Sequence, residues 1–341
     1  MHILIVRLSA MGDLVQTLPA LTDAARAFPG IRFDWVVEES FAQVPTWHPA
    51  VDNVIPAAFR RWGRNPFEAF KSGEFKSFVK QLRSRKYDLI VDVQGGLKSA
   101  FAARLARGIH AGHDGGGVHD WGAQFLYQKA VAVPKGEHSI QRMRQLLAAS
   151  LGYEYEPAEV DYGIDRSRFG VTPLELPQPY LVFIHSTSWS SKVWAESYWA
   201  ELARTATAAG FNVVLPWGDE AECERSLRIA AGDERAIVLP SLSISEKAAI
   251  ISGARATVGL DTGLSHIAAA LDIPSVTIYG ATDPHLVGAK GENQVWLAST
   301  FECVRCHQVE CTYPNSAPLK PACLVEIRPE LVWEEIAALV Q

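Results

Sequence analysis

Apolar and polar positions alternate along this chain in blocks. A near-continuous apolar run, "ILIVRL" at 3–8, is followed by a helical pattern over 14–28 and a second run, "FDWVV", at 33–37. "DLIVDVQ" at 88–94 precedes the helical stretch "KSAFAARLA". Runs that are apolar throughout predict strands buried on both faces. The pattern weakens after Gly152, and residues 166–179 hold three prolines and little periodicity, which reads as a linker. Then the alternation restarts. The strands "YLVFIHS" at 180–186, "NVVLPWG", "ATVGLD" at 256–261 and "SVTIYG" interleave with a helix over 195–209 and with "EAECERSLRIAA" and "GLSHIAAALD". Leu331, Ile336 and Leu339 fall at near-helical spacing, so 329–341 is expected to be a final helix.

Strand–helix alternation on both sides of a linker predicts an α/β protein with two doubly wound, Rossmann-like parallel-sheet domains facing a cleft. The expected bounds are 1–165 and 180–328. A length of 341 residues suits two domains. Hydrophobic residues make up 48% and charged residues 21%, which fits a packed globular protein. The net charge of -6 argues against a nucleic-acid partner held by a basic surface. No apolar run reaches the roughly 18 residues of a membrane span, and the first run reads as a buried strand rather than a signal peptide. A soluble, cytoplasmic protein is expected.

Candidate chemistry lies where strands hand over to helices. In "VGLDTGLSHIAAALD" a strand ends at Asp261, Thr262 and Gly263 make the turn, and His266 lies one turn into the helix. Free N–H groups and the helix dipole make such a start an anion site, although a Thr cap alone would explain the turn. "HSTSWSSKVW" offers Thr187, Ser188 and Lys192 to phosphate oxygens, or is a solvated Ser/Thr loop. Glu222 could accept from ribose hydroxyls or be a surface acid. Arg60, Arg61 and Arg64 in "FRRWGR" suit phosphate or carboxylate, or form a solvated basic turn. In "RLSAMGDLVQTLPAL" the single acid, Asp13, is either a helix cap or a free carboxylate. Pro19 favours a helix starting near Thr17, where proline falls in the first turn and Asp13 stays in the loop. Neither G-x-G-x-x-G nor a Walker pattern is present, which counts against a dehydrogenase or a P-loop kinase. Cys303, Cys306, Cys311 and Cys323 have spacing C-x2-C-x4-C-x11-C. They could hold a structural zinc, form a disulfide or stay free.

The stretches "SAMGDLVQTLPALTDA", "FDWVVEESFAQVPTWHPAVDNVIP" with "RRW" after it, "DVQGGLKSA", "LPWGDEAECER" and "DTGLSHIAAALDIPSVTIYGATDP" together resemble the bacterial ADP-heptose:lipopolysaccharide heptosyltransferases, nearest to the heptosyltransferase I branch. The resemblance runs from Met1 to about Val295. It implies a GT-B fold with the acceptor on the N-terminal domain, ADP-heptose on the C-terminal domain, and the last helix crossing back to the first. It implies inverting transfer of L-glycero-D-manno-heptose to a Kdo hydroxyl of Kdo-lipid A, at the cytoplasmic face of the inner membrane, with no cofactor needed for catalysis. Asp13 matches the general base and Lys192 the cation facing the diphosphate. Thr187, Ser188, Thr262 and Gly263 match phosphate contacts, and Glu222 matches the ribose acceptor. Leu242 lies where an apolar residue meets the nucleoside, while Asp261 and His266 match positions near sugar and phosphates. Arg60, Arg61 and Arg64 fall where acceptor arginines are expected. Arg7 stands in place of a lysine and Ser188 in place of a threonine. No arginine stands near Asp120, and the cysteine-bearing tail departs from the heptosyltransferase I pattern. A second heptosyltransferase, a GT-B sugar-nucleotide epimerase and a non-catalytic binding module are the alternatives.

Overall fold

Short β-branched and leucine-rich runs become strands because both of their faces can be covered by helices. In a computed structural model, which describes all residues except 158, 173 and 315–318, they pair only in parallel. The chain divides into two compact units, Met1–Asp165 and Arg166–Gln341.

The first unit holds β1 (His2–Val6), α1 (Met11–Ala27), β2 (Arg32–Glu38), β3 (Val51–Ala57), α2 (Phe59–Arg64), α3 (Pro66–Lys71), α4 (Glu74–Leu82), β4 (Leu89–Asp92), α5 (Leu97–Leu105), β5 (His110–His113), β6 (Lys129–Val131) and α6 (Ser139–Leu151). Its six strands run in the order β3-β2-β1-β4-β5-β6. Ile3 faces Phe33 on one side and Leu89 on the other. Connections leave β1 in opposite directions, so a crevice opens beyond the carboxyl ends of β1 and β4.

The second unit repeats the plan with β7 (Tyr180–Ile184), α7 (Glu196–Ala208), β8 (Asn212–Leu215), α8 (Glu220–Ala230), β9 (Ala236–Val238), α9 (Ile244–Ser252), β10 (Ala256–Leu260), α10 (Gly263–Ala270), β11 (Ser275–Tyr279), α11 (Pro284–Val287), β12 (Gln294–Ala298) and α12 (Pro329–Val340). The order β12-β11-β10-β7-β8-β9 places its crevice beyond β7 and β10.

Several expectations change. α1 starts at Met11, so Pro19 sits in its interior and Asp13 in its first turn. An interior proline costs about 3 kcal/mol. Burial of Leu14, Val15, Leu18 and Leu21, all fully buried, outweighs it at ~1.5–3 kcal/mol per side chain. Within the Pro-rich stretch, residues 166–169 form a short helical turn, and the Arg166 guanidinium donates to the Ser252 carbonyl at 2.7 Å. That segment packs on α9; position 173 lies outside the described residues. The terminal helix α12 packs on α7, β10 and β11, with Val332 and Ile336 fully buried in the second unit's core. Among the described residues, no helix is long and apolar enough to cross a membrane.

Candidate functional site

Each crevice gathers residues that the sequence singled out. In the first unit, β1 ends at Val6 and the chain passes through Arg7 to α1. The Arg7 guanidinium is 8% exposed; it donates to the Val93 carbonyl at 3.0 Å and pairs with Asp13 at 2.8 Å. The same Asp13 oxygen accepts from Ala10 N–H at 2.9 Å, closing the first turn of α1. Asp13 therefore does serve the helix start, contrary to a loop placement. Its side chain remains 37% exposed, so it can also reach a ligand. Opposite stands the loop after β4. Buried Asp92 accepts from Tyr127 Oη at 2.7 Å, Ser99 Oγ at 2.8 Å, and the N–H groups of Gln94 and Gly95. Burial raises the Asp92 pKa, and those bonds counter the rise. Gln94 Oε1, so placed, accepts from Leu8 N–H at 2.8 Å and ties the two strand ends together.

His113 ends β5. Burial and the charges of Arg142 and Arg7 lower its pKa to about 4. Neither His113 nor Arg142 was singled out beforehand, because neither sits in a recognisable motif. Arg60, Arg61 and Arg64 all lie on α2 and are exposed. Arg61 is held by Glu39 at 3.0 Å and Glu74 at 2.8 Å, while Arg60 lies over the Phe41 ring. Arg64 joins no ion pair found among the described residues. The structure thus leaves Arg60 and Arg64 more available to an anion than Arg61.

The second unit's crevice is also polar. Asp261 follows β10 and is buried. It pairs with Lys192 Nζ at 2.7 Å, and Thr282 Oγ1 donates to the same oxygen at 2.6 Å. His266 Nε2 lies 3.7 Å from the other oxygen. Burial alone would raise the Asp261 pKa; the His266 hydrogen bond and the Lys192 charge override it and hold the carboxyl well below its usual range. Lys192 also sits 4.3 Å over the Trp189 ring. Thr262 precedes α10 without spending its side chain on a cap, and Gly263 opens the helix. Their hydroxyl and first-turn N–H groups can face an anion. Within β10, Gly259 is required, since a Cβ there would meet Ser265 Oγ at 2.3 Å. Thr187 Oγ1 donates to the Asp261 carbonyl at 3.3 Å, and Ser188 is exposed beside it. Glu222, in the first turn of α8, accepts from Gly218 N–H at 2.6 Å. Leu242 is partly exposed just before α9.

The cysteine-bearing segment supports this crevice. Arg305 N–H donates to the Gly280 carbonyl at 2.8 Å, and His307 N–H to the Ala281 carbonyl at 2.9 Å, next to Thr282. Val309 O accepts from Ser191 N–H at 3.1 Å, and Gln308 O from Ser191 Oγ, next to Lys192. All five cysteines are free thiols. Among the described residues no group of three or more His, Cys, Asp or Glu stands in a metal-binding arrangement, and what the segment carrying Cys303, Cys306, Cys311 and Cys323 does show is a backbone brace. Burial, then the charge of the neighbouring thiols of Cys303, Cys311 and Cys306, pushes Cys323 up to about 12.

Comparison with known proteins follows the same lines. Residues 75–317 match the model of glycosyltransferase family 9 (heptosyltransferase). The chain is 45% identical to lipopolysaccharide heptosyltransferase 1 of Pseudomonas aeruginosa, over 100% of this chain and 98% of that one. It resembles the solved structure of the E. coli heptosyltransferase WaaC with ADP, with TM-score 0.86 and 40% identity, covering 99% of this chain and 100% of that chain. The same E. coli protein with ADP-2-deoxy-2-fluoro heptose gives TM-score 0.84 and 39% identity over 99% of each chain.

Proposed function

The chain belongs to glycosyltransferase family 9, the heptosyltransferases, and from that premise we propose that it moves L-glycero-D-manno-heptose from ADP-heptose to a Kdo hydroxyl of Kdo-lipid A. The observation that carries this reading is the Lys192–Asp261–Thr282 cluster beside the open start of α10, which matches the charge of a diphosphate leaving group.

The acceptor hydroxyl attacks the anomeric carbon from the face opposite ADP, and its proton passes to Asp13. The bond between that carbon and the β-phosphate oxygen breaks, and ADP leaves with the electron pair. Inversion follows from a single displacement. Lys192, Thr262, Gly263 and Thr187 meet the charge that develops on the diphosphate, with Ser188 beside them. Such fixed donors usually supply the larger share of rate enhancement, and a general base contributes ~100–10,000-fold. Glu222 keeps one oxygen for ribose hydroxyls, Leu242 meets the nucleoside, and Asp261 and His266 orient Lys192 and face the sugar. Arg60 and Arg64 serve the anionic acceptor, with Arg61 joining if its carboxylates yield. The lipid acceptor places the enzyme at the cytoplasmic surface of the inner membrane.

The test is ADP release from ADP-heptose with and without Kdo-lipid A, followed by identification of the heptosylated product. Release that depends on the acceptor supports the reading; release only with an already heptosylated acceptor overturns it. Because a lysine and helix N–H groups meet the leaving charge, we expect the rate to be unchanged by EDTA. Loss of activity restored by a divalent ion would contradict that expectation.

A further inference from the structure

The first unit carries an apolar face that its own core does not use. Trp121 is 81% and Phe125 74% exposed, and their rings stack edge-on at 5.9 Å. Leu97 and Phe101, each about half exposed, stand one turn apart on α5. The pieces are contiguous. Asp120 Oδ2 accepts from Leu97 N–H at 2.9 Å, and Leu97 lies beside Gly122. Below them Ala100, Ala123 and Tyr127 form a small core that fixes the 123–126 turn against α5.

Charge marks what fits this face. Although the whole chain is acidic, residues 93–113 contain no Asp or Glu at all. Lys98, Arg104 and Arg107 are exposed there, and none joins an ion pair found among the described residues. Asp120, the acid nearest the rings, accepts from Leu97 N–H and His119 and also feels the charge of Lys98. Exposed tryptophan and phenylalanine beside exposed cations are the composition that settles at a lipid headgroup boundary and is drawn to anionic lipid. The other exposed phenylalanines, Phe67 and Phe70, lie on α3, which carries Glu68 in its first turn, and Phe70 stacks on Phe75.

We propose that Leu97, Phe101, Trp121 and Phe125, ringed by the α5 cations, dock the protein on an anionic bilayer. The face begins at the first turn of α5, directly after the Gln94–Gly96 loop that holds Leu8, so it adjoins the crevice where Asp13 sits. It presents that crevice to a substrate held in the membrane. This inference rests on the lipid-linked acceptor proposed above.

The test uses the full chain with phosphatidylglycerol-rich and phosphatidylcholine vesicles. Trp121→Ser/Phe125→Ser should weaken binding to the anionic vesicles about tenfold or more. Lys98→Gln/Arg104→Gln should weaken it about tenfold at low salt and less at high salt. Both variants should transfer heptose normally to a deacylated, water-soluble acceptor. Unchanged vesicle binding overturns the proposal. So does loss that appears instead in Phe67→Ser/Phe70→Ser, or an equal loss of activity on the soluble acceptor. Failure of the wild-type protein to use any Kdo acceptor would count against the proposed reaction and leave the vesicle result to stand by itself.

Discussion

Asp13 serves two partners before any substrate arrives: Arg7 and the Ala10 N–H. Asp13→Asn keeps the N–H acceptor and loses the charge. We expect transfer to fall ~100–10,000-fold while ADP affinity by calorimetry stays unchanged; near-normal turnover would remove Asp13 as the base. Asp261 anchors Lys192 without being the reacting group. Asp261→Asn leaves the lysine its charge and takes away its fixed position. We expect kcat to fall about 100-fold with ADP binding no weaker, since misplacement of a catalytic group by about an ångström costs that much. The sequence made Asp13, Lys192 and Asp261 legible, since each follows a strand end. Thr282 stands in "IYGATDP", beyond the next strand from Asp261. Its bond to Asp261 spans 21 residues, and no local pattern predicts it.

At the scale of elements, strands with dense apolar runs were legible and the weakly apolar ones were not. β5 reads "HAGH", and only the structure shows why it is a strand. Gly112 is pressed by the Tyr127 ring at 2.5 Å from any added Cβ, and both histidines are buried between β4 and β6. α1 starts earlier than its proline predicts because burial of Leu14, Val15, Leu18 and Leu21 outweighs the proline's cost. α6 was not recognised, yet it is pinned to α1 by the Arg144–Asp23 pair at 2.5 Å, with Arg144 only 2% exposed. Removing one member of such a pair strands the other. Asp23→Ala should cost about 3–5 kcal/mol in urea unfolding of the first unit; a change under about 1 kcal/mol would contradict that.

For the whole molecule, both units follow one rule: parallel strands, two opposed crossovers, and chemistry beyond the strands where the crossovers part. The alternation of runs foretold that plan, whereas strand order required the coordinates. Both units also share a dependence on acid. Burial, aided by nearby arginines at His113 and His185 and opposed by Asp161 at His48, holds all three at about 4, below their usual 6.5. Each binds its proton more weakly folded than unfolded. The stability this gives is fully present above pH 6.5 and is lost as pH falls toward 4, at ~3 kcal/mol per histidine. Thermal melts between pH 7.5 and 4.5 should show falling Tm through that window, and a flat profile would contradict it. Asp261, with its lowered pKa, releases its contribution only below that window.

The brace under Lys192 has a further consequence, in time rather than space. The first unit's strands and helices are complete by residue 165. The Lys192 turn depends on carbonyls that lie 117 and 119 residues further along the chain, at Gln308 and Val309. Domains form in order as a chain leaves the ribosome. A nascent chain therefore completes the first unit while the Lys192 turn is still unsupported. The turn gains its brace only when Gln308 and Val309 have been made, so a chain stalled before residue 308 is expected to fold its first unit and leave Lys192 unbraced.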